Sequence, residues 1–72
     1  MKERNSHMNV LINQEPRELP DHATLADALR VWEPPAVFAA AVNLQFVPRA
    51  AYAQHPLNDG DRIEIIAPIT GG

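Results

Sequence analysis

The sequence contains no cysteine. Disulfides, thiolate metal sites, redox dithiols and thiol nucleophiles are therefore excluded. Serine occurs only at Ser6, which leaves no serine triad in the body of the chain. Glycine is scarce: Gly60 is internal, and Gly71 and Gly72 close the chain. One internal glycine cannot build a glycine-rich phosphate loop. Basic residues are few, with six Lys or Arg against nine Asp or Glu and a net charge of -3. Nucleic-acid binders carry a basic face, so that partner class is disfavoured.

Long apolar runs are missing too. The longest cover residues 36–42 and 63–69, the second broken by Glu64 and Pro68, and a membrane span needs roughly 20 residues. No basic start leads into an apolar stretch, so neither a signal peptide nor a membrane partner is expected, and the expected compartment is the cytoplasm. At 72 residues the chain forms one domain. A chain of this size buries only about 60% of its unfolded surface, which leaves a thin core and no deep cleft. His7, His22 and His55 are scattered without companion ligands at metal spacing and read as solvated loop residues. Asp59-Gly60-Asp61 is similar to the start of a calcium loop, but the later ligands are missing, and turn chemistry is the better reading.

What is present is a regular alternation of elements. Residues 1–7 have no apolar side chain after Met1 and read as an expression tag or a disordered arm. Ser6-His7-Met8 has the look of a cloning junction, and Met8 of a natural start. Residues 8–13 then alternate, with Met8, Val10 and Ile12 on one face, which predicts a strand. Gln14-Glu15-Pro16 reads as a turn, and residues 17–19 as an edge strand bracketed by Pro16 and Pro20.

Thr24 followed by Asp27 is a capping-box pair. Leu25, Ala28, Leu29 and Trp32 fall on one helical stripe, ended by Pro34 and Pro35. Core packing is the plain reading of that stripe. Residues 37–42 read as a buried strand, Asn43-Leu44-Gln45 as a turn and Phe46-Val47 as a short strand. A helical or 3₁₀ turn carrying Tyr52 follows over residues 49–54. Residues 57–61 form a tight turn with Gly60 available for positive φ. Residues 62–67 form a last strand with Ile63 and Ile65 inward.

The economical arrangement is one helix across one face of a mixed sheet of four to five strands. The first and last strands are the strongest alternators and should pair at the centre. That is an α+β fold of the β-grasp, ubiquitin-like type, spanning residues 8–68, with residues 69–72 as a flexible tail.

No catalytic or metal constellation emerges, and attention passes to the chain end. Ile69, Thr70, Gly71 and Gly72 form a thin tail, since two glycines without Cβ atoms add little bulk. Such a tail can thread a narrow channel into another protein's active site. The Gly72 carboxylate is unshielded and suited to attack an ATP α-phosphate. If the chain carries sulfur, the absence of cysteine leaves only the C-terminal carboxyl, as a thiocarboxylate. For an isolated Gly-Gly ending a frayed terminus is the plain alternative; behind a β-grasp domain the tail reading is favoured.

The motifs Val47-Pro48-Arg49 with Tyr52, Leu57-Asn58-Asp59-Gly60-Asp61-Arg62-Ile63-Glu64-Ile65 and Gly71-Gly72 stand in a fixed order and spacing. Together with Ala41-Val42-Asn43 and Tyr52-Ala53-Gln54-His55 they resemble the ThiS family of sulfur carriers, over residues 8–72. The resemblance implies that a ThiF-type, E1-like enzyme adenylates Gly72 with ATP. It implies conversion to a thiocarboxylate and sulfur donation to a ThiG-type thiazole synthase. The chain would then be a co-substrate, monomeric when free and holding no cofactor of its own. Two alternatives share the fold and tail: the small subunit of molybdopterin synthase, and a ubiquitin-like modifier or tRNA-thiolation carrier.

A docking surface is expected beside the tail, from Ile66, Pro68, Phe46 and Leu44. Simple covering of a thin core is the competing reading of these residues. Asp59, Asp61 and Glu64 are expected to form an acidic rim that speeds association with a basic partner.

Overall fold

A computed structural model describes residues 7–34, 36 and 38–67. The elements run β1 (His7–Ile12), β2 (Glu15–Pro20), α1 (Leu25–Trp32), β3 (Ala39–Val42), β4 (Gln45–Val47), a 3₁₀ segment (Arg49–Gln54) and β5 (Arg62–Ile66). One five-stranded sheet has the order β2-β1-β5-β3-β4. The β1–β5 pair is parallel and central, with Leu11 opposite Arg62 and Ile12 opposite Ile63. The other three pairs are antiparallel. This mixed sheet with a single helix is the expected β-grasp architecture.

The alternation in β1 sends Met8, Val10 and Ile12 into the core. The hairpin turns on Asn13 and Gln14, at φ 50° and 71°. Two successive positive φ values suit a two-residue connection, whose twist matches the flanking strands. The turn is therefore tighter than the Gln14-Glu15-Pro16 expected, and β2 takes in both prolines. Pro16 lies opposite Leu11 and Pro20 opposite His7. Counting from the closing pair Ile12–Glu15, both prolines fall where an antiparallel pair exchanges no backbone bonds. Their missing N–H groups cost the ladder nothing on an edge strand. His7 belongs to β1 and lies 3.4 Å from the Glu18 carboxylate.

Thr24 caps α1 in extended conformation. Its hydroxyl accepts from the Asp27 N–H, and its own N–H donates to Asp27 Oδ2 at 2.9 Å. Leu25, Ala28 and Leu29 are buried, and Trp32 packs at the core margin under the Arg17 guanidinium, 5.0 Å from the ring centroid. The helix ends at Glu33, whose left-handed φ of 59° precedes Pro34. A proline disfavours helical geometry in the residue before it, which accounts for the stop.

The core lies between α1 and one sheet face, with Ile12, Leu19, Leu25, Ile63 and Val10 fully enclosed. Each contributes about 1.5–3 kcal/mol of burial. The 3₁₀ segment lies beside the helix start, since the Leu25 N–H donates to His55 O and the Leu57 N–H to Ala23 O. Tyr52 in this segment stacks on Phe38, with ring centroids 6.0 Å apart. The strand expected over 37–42 is observed at Ala39–Val42; Val37 itself lies outside the described residues.

Candidate functional site: the open sheet face and the root of the tail

The sheet face away from α1 has no covering element among the described residues. Pairing places Phe46 opposite Ala41, Ala41 opposite Glu64, and Ala39 opposite Ile66. Paired residues share a face, so these side chains lie on one surface. Phe46 and Ile66 are 68% and 59% exposed, and Leu44, in the β3–β4 turn, is 85% exposed. The alanines of β3 keep the floor low between Phe46 and Ile66. The fold thus brings together three of the four expected docking residues, Leu44, Phe46 and Ile66. Pro68 lies outside the described residues, as do Ile69, Thr70, Gly71 and Gly72.

Two shallow grooves cross the same face, of about 270 and 280 Å³. Leu44 and Asn43 line one, Leu11 and Gln14 the other, and Arg62 and Glu64 stand between them. The expected acidic rim is smaller than the sequence suggests. Asp61 is only 9% exposed, and its carboxylate accepts from the Asn58 N–H at 2.8 Å and the Asn43 side-chain amide at 3.0 Å. Asp59 accepts from the Asn9 N–H at 2.7 Å. Asp61 holds the fold, Asp59 ties the turn to β1 while remaining exposed, and of these three acids Glu64 presents its charge on the open face.

The structure gives two asparagines a bonding role that the sequence reading did not assign. Asn13 and Asn43 open two hairpin turns of matching geometry, at φ 50° and 52°. They flank β5 from opposite sides. The Asn43 N–H donates to Arg62 O at 2.7 Å, and its side-chain oxygen accepts from the Arg62 N–H at 3.0 Å. The Asn13 N–H donates to Ile63 O at 2.9 Å, and its side-chain oxygen accepts from the Ile65 N–H at 2.8 Å. The available signal was asparagine's tolerance of left-handed backbone at the end of an alternating strand.

Among the described residues no three His, Cys, Asp or Glu side chains converge as metal ligands. Among the same residues no helix is long and apolar enough to cross a membrane. The arrangement is a surface for contact and a central strand that ends at Ile66, with Gly72 six residues further along the chain.

Comparison with known proteins points the same way. The ThiS family model matches residues 10–72, through the terminal glycines. The sulfur carrier protein ThiS of Escherichia coli is 35% identical over 66 residues, covering 90% of this chain and all of that protein. A thiazole synthase of Paramagnetospirillum magneticum is 38% identical over 66 residues; the chain spans 20% of that protein's length. A crystal structure of the thiamine biosynthesis protein ThiS from Geobacter metallireducens superposes with a TM-score of 0.75 at 20% identity, over 90% of this chain and all of that one. That structure supports the fold, and the family match and the Escherichia coli relative carry the assignment. The chain belongs to the ThiS family.

Proposed function

We propose that this chain is a sulfur carrier of thiamine biosynthesis that works through the carboxylate of Gly72. The observation that carries the reading is the family match, which runs unbroken to Gly72 on a fold whose central strand leads into the tail. A carboxylate needs activation before sulfur can replace oxygen. In this reading a ThiF-type enzyme supplies it: a Gly72 oxygen attacks the α-phosphorus of ATP, and pyrophosphate leaves. A sulfur nucleophile then attacks the acyl carbon and AMP leaves, which produces the thiocarboxylate. The chain supplies access and recognition, and its partners supply catalysis.

The open face with Leu44, Phe46 and Ile66 is the docking surface in this scheme. Exposed apolar side chains beside the tail root contribute contact area, and Glu64 and Arg62 contribute register. Thiazole synthase is the acceptor. The likeness between this chain and part of a thiazole synthase supports a working association of the two activities.

The test is intact mass spectrometry after incubation with a ThiF-type enzyme, ATP and sulfide. Exchange of one oxygen for sulfur adds about 16 Da. No gain with an enzyme competent on another ThiS chain overturns the proposal.

A further inference from the structure

The backbone of β1 fixes how β2 presents its own. Asn9 and Leu11 spend their backbone groups on the side away from β2. The Asn9 N–H donates to Asp59 Oδ1 at 2.7 Å, Asn9 O accepts from the Gly60 N–H at 2.7 Å, and the Leu11 N–H donates to Asp61 O at 3.0 Å. The β2 residues opposite them, Glu18 and Pro16, therefore exchange no bond with β1, and Pro20, opposite His7, keeps the same phase. The backbone groups of all three point outward. β2 is an edge of the sheet, and among the described residues no strand lies on its outer side. An open edge of six residues is a template for another extended chain. Here the edge is almost stripped of donors. Pro16 and Pro20 have no N–H, and Pro20 O already accepts from the Ala23 N–H at 3.2 Å. Within β2, Glu18 alone turns an N–H outward, beside a charged side chain.

The opposite edge is guarded by its shortness. β4 has three residues, and Gln45 and Val47 are bonded to Val42 and Ala40, which leaves Phe46 as its one outward residue. Pro48 follows at the next outward position without an N–H, and Pro48 O accepts from the Ala51 N–H at 2.9 Å. We infer that Pro16 and Pro20 close β2, the one edge long enough to pair with a second copy of this chain, and so keep the protein from joining itself edge to edge. In an antiparallel pair of two β2 strands, Pro16 lies opposite Pro20 of the second copy and Glu18 opposite Glu18. Every bond of the outer pairs is lost to the prolines, and the central pair sets like charges side by side. N–H groups at positions 16 and 20 would restore the outer pairs. A two-fold axis would then consume both β2 edges, so association would close at two copies. The inference stands on backbone geometry and does not depend on the carrier reading.

The experiment is sedimentation equilibrium of the full-length chain from micromolar to millimolar concentration, in high salt to screen the Glu18 charges. The parent chain should hold the mass of one copy throughout. The double variant Pro16→Thr, Pro20→Thr supplies two outward N–H groups on strand-favouring residues and leaves every β1–β2 bond in place. Its mass should rise with concentration toward about twice that of one copy. Adding Glu18→Pro to that variant removes the central outward donor, again without touching a bond to β1, and should return the mass to one copy. Amide exchange followed by NMR locates the contact. The Glu18 N–H should exchange freely in the parent chain and slow at least about tenfold in the paired variant.

A folded double variant that stays a single copy overturns the inference. So does a dimer in which the Glu18 N–H still exchanges freely, because that contact runs through the open face instead. Growth into fibres also overturns it, since β4 would then be open as well. If the double variant does not fold, Pro16→Thr decides alone, through a register that sets position 16 opposite Glu18 of the second copy. A mass that rises with concentration then supports the inference, and the mass of one copy overturns it.

Discussion

The side-chain amide of Asn43 donates to Asp61 Oδ1 at 3.0 Å, joining the β3–β4 turn to the residue that precedes β5. Asp61 Oδ2 accepts from the Asn58 N–H at 2.8 Å, which closes the loop around Gly60. Asp61→Ala leaves the Asn58 amide and the Asn43 side chain without this partner at a site only 9% exposed. The expected loss is about 1–3 kcal/mol. The midpoint of urea unfolding, at unchanged slope, measures it.

The helix start gives a pH signature. Asp27 sits below the usual carboxylate range, chiefly because the Thr24 N–H donates to it and also because the Arg30 guanidinium lies beside it, while desolvation opposes the shift. A lowered folded value means the contribution is fully present above the unfolded carboxyl value of about 3.9. It is lost as pH falls through the folded value. The difference in urea midpoint between the parent chain and Asp27→Asn should be present at neutral pH and vanish in acid below that point. A difference independent of pH would show that the carboxylate charge contributes nothing. Thr24→Ala should cost about 1 kcal/mol at neutral pH and less in acid, because the Thr24 hydroxyl also donates to the Asp27 carboxylate; the same titration reads it.

Leu25 is fully buried where α1 meets the sheet. Leu25→Ala removes that packing and should cost about 2–5 kcal/mol. For a domain this small that is a large share of total stability. Circular dichroism during thermal unfolding should show a strongly lowered Tm.

Phe46 is expected to matter for recognition and little for folding. At 68% exposure, Phe46→Glu should shift Tm by only a degree or two. Its KM with a ThiF-type enzyme should rise at least about tenfold, the scale of an interface anchor. An unchanged KM would show that the open face is not the docking surface.

Most of the fold was legible because the alternation of β1, the stripe of α1 and the capping pair Thr24–Asp27 each follow a local rule. The first hairpin turn was expected one residue late, at Gln14, and the second was expected from Asn43 as observed but one residue too long, through Gln45. Asn13-Gln14 and Asn43-Leu44 carry no glycine, the usual sign of positive φ, and the neighbouring polar or proline residues drew each expected turn end downstream. The open face was legible at Ile66 from strand parity, opposite in phase to Ile63 and Ile65. Asp61 was misread as a rim charge, since no local pattern reveals that Asn43, 18 positions away, folds onto it. The Asn13–Ile65 hydrogen bond escaped for the same reason, since the two residues are 52 positions apart. Contacts of that range depend on the sheet order, which exists only after the chain has folded.

The order of the sheet has a consequence for quality control. β1–β2 and β3–β4 are local hairpins, and β5 is the seam that joins them. Local hairpins form quickly, whereas a seam between distant segments must wait for both. The tail is attached to that seam. In the carrier reading, an enzyme that grips the open face while drawing in the residues after Ile66 therefore requires a completed sheet at the moment of engagement. A misfolded chain ends in the same two glycines but presents no face to dock, so that enzyme acts as an inspector of folding before any ATP is spent.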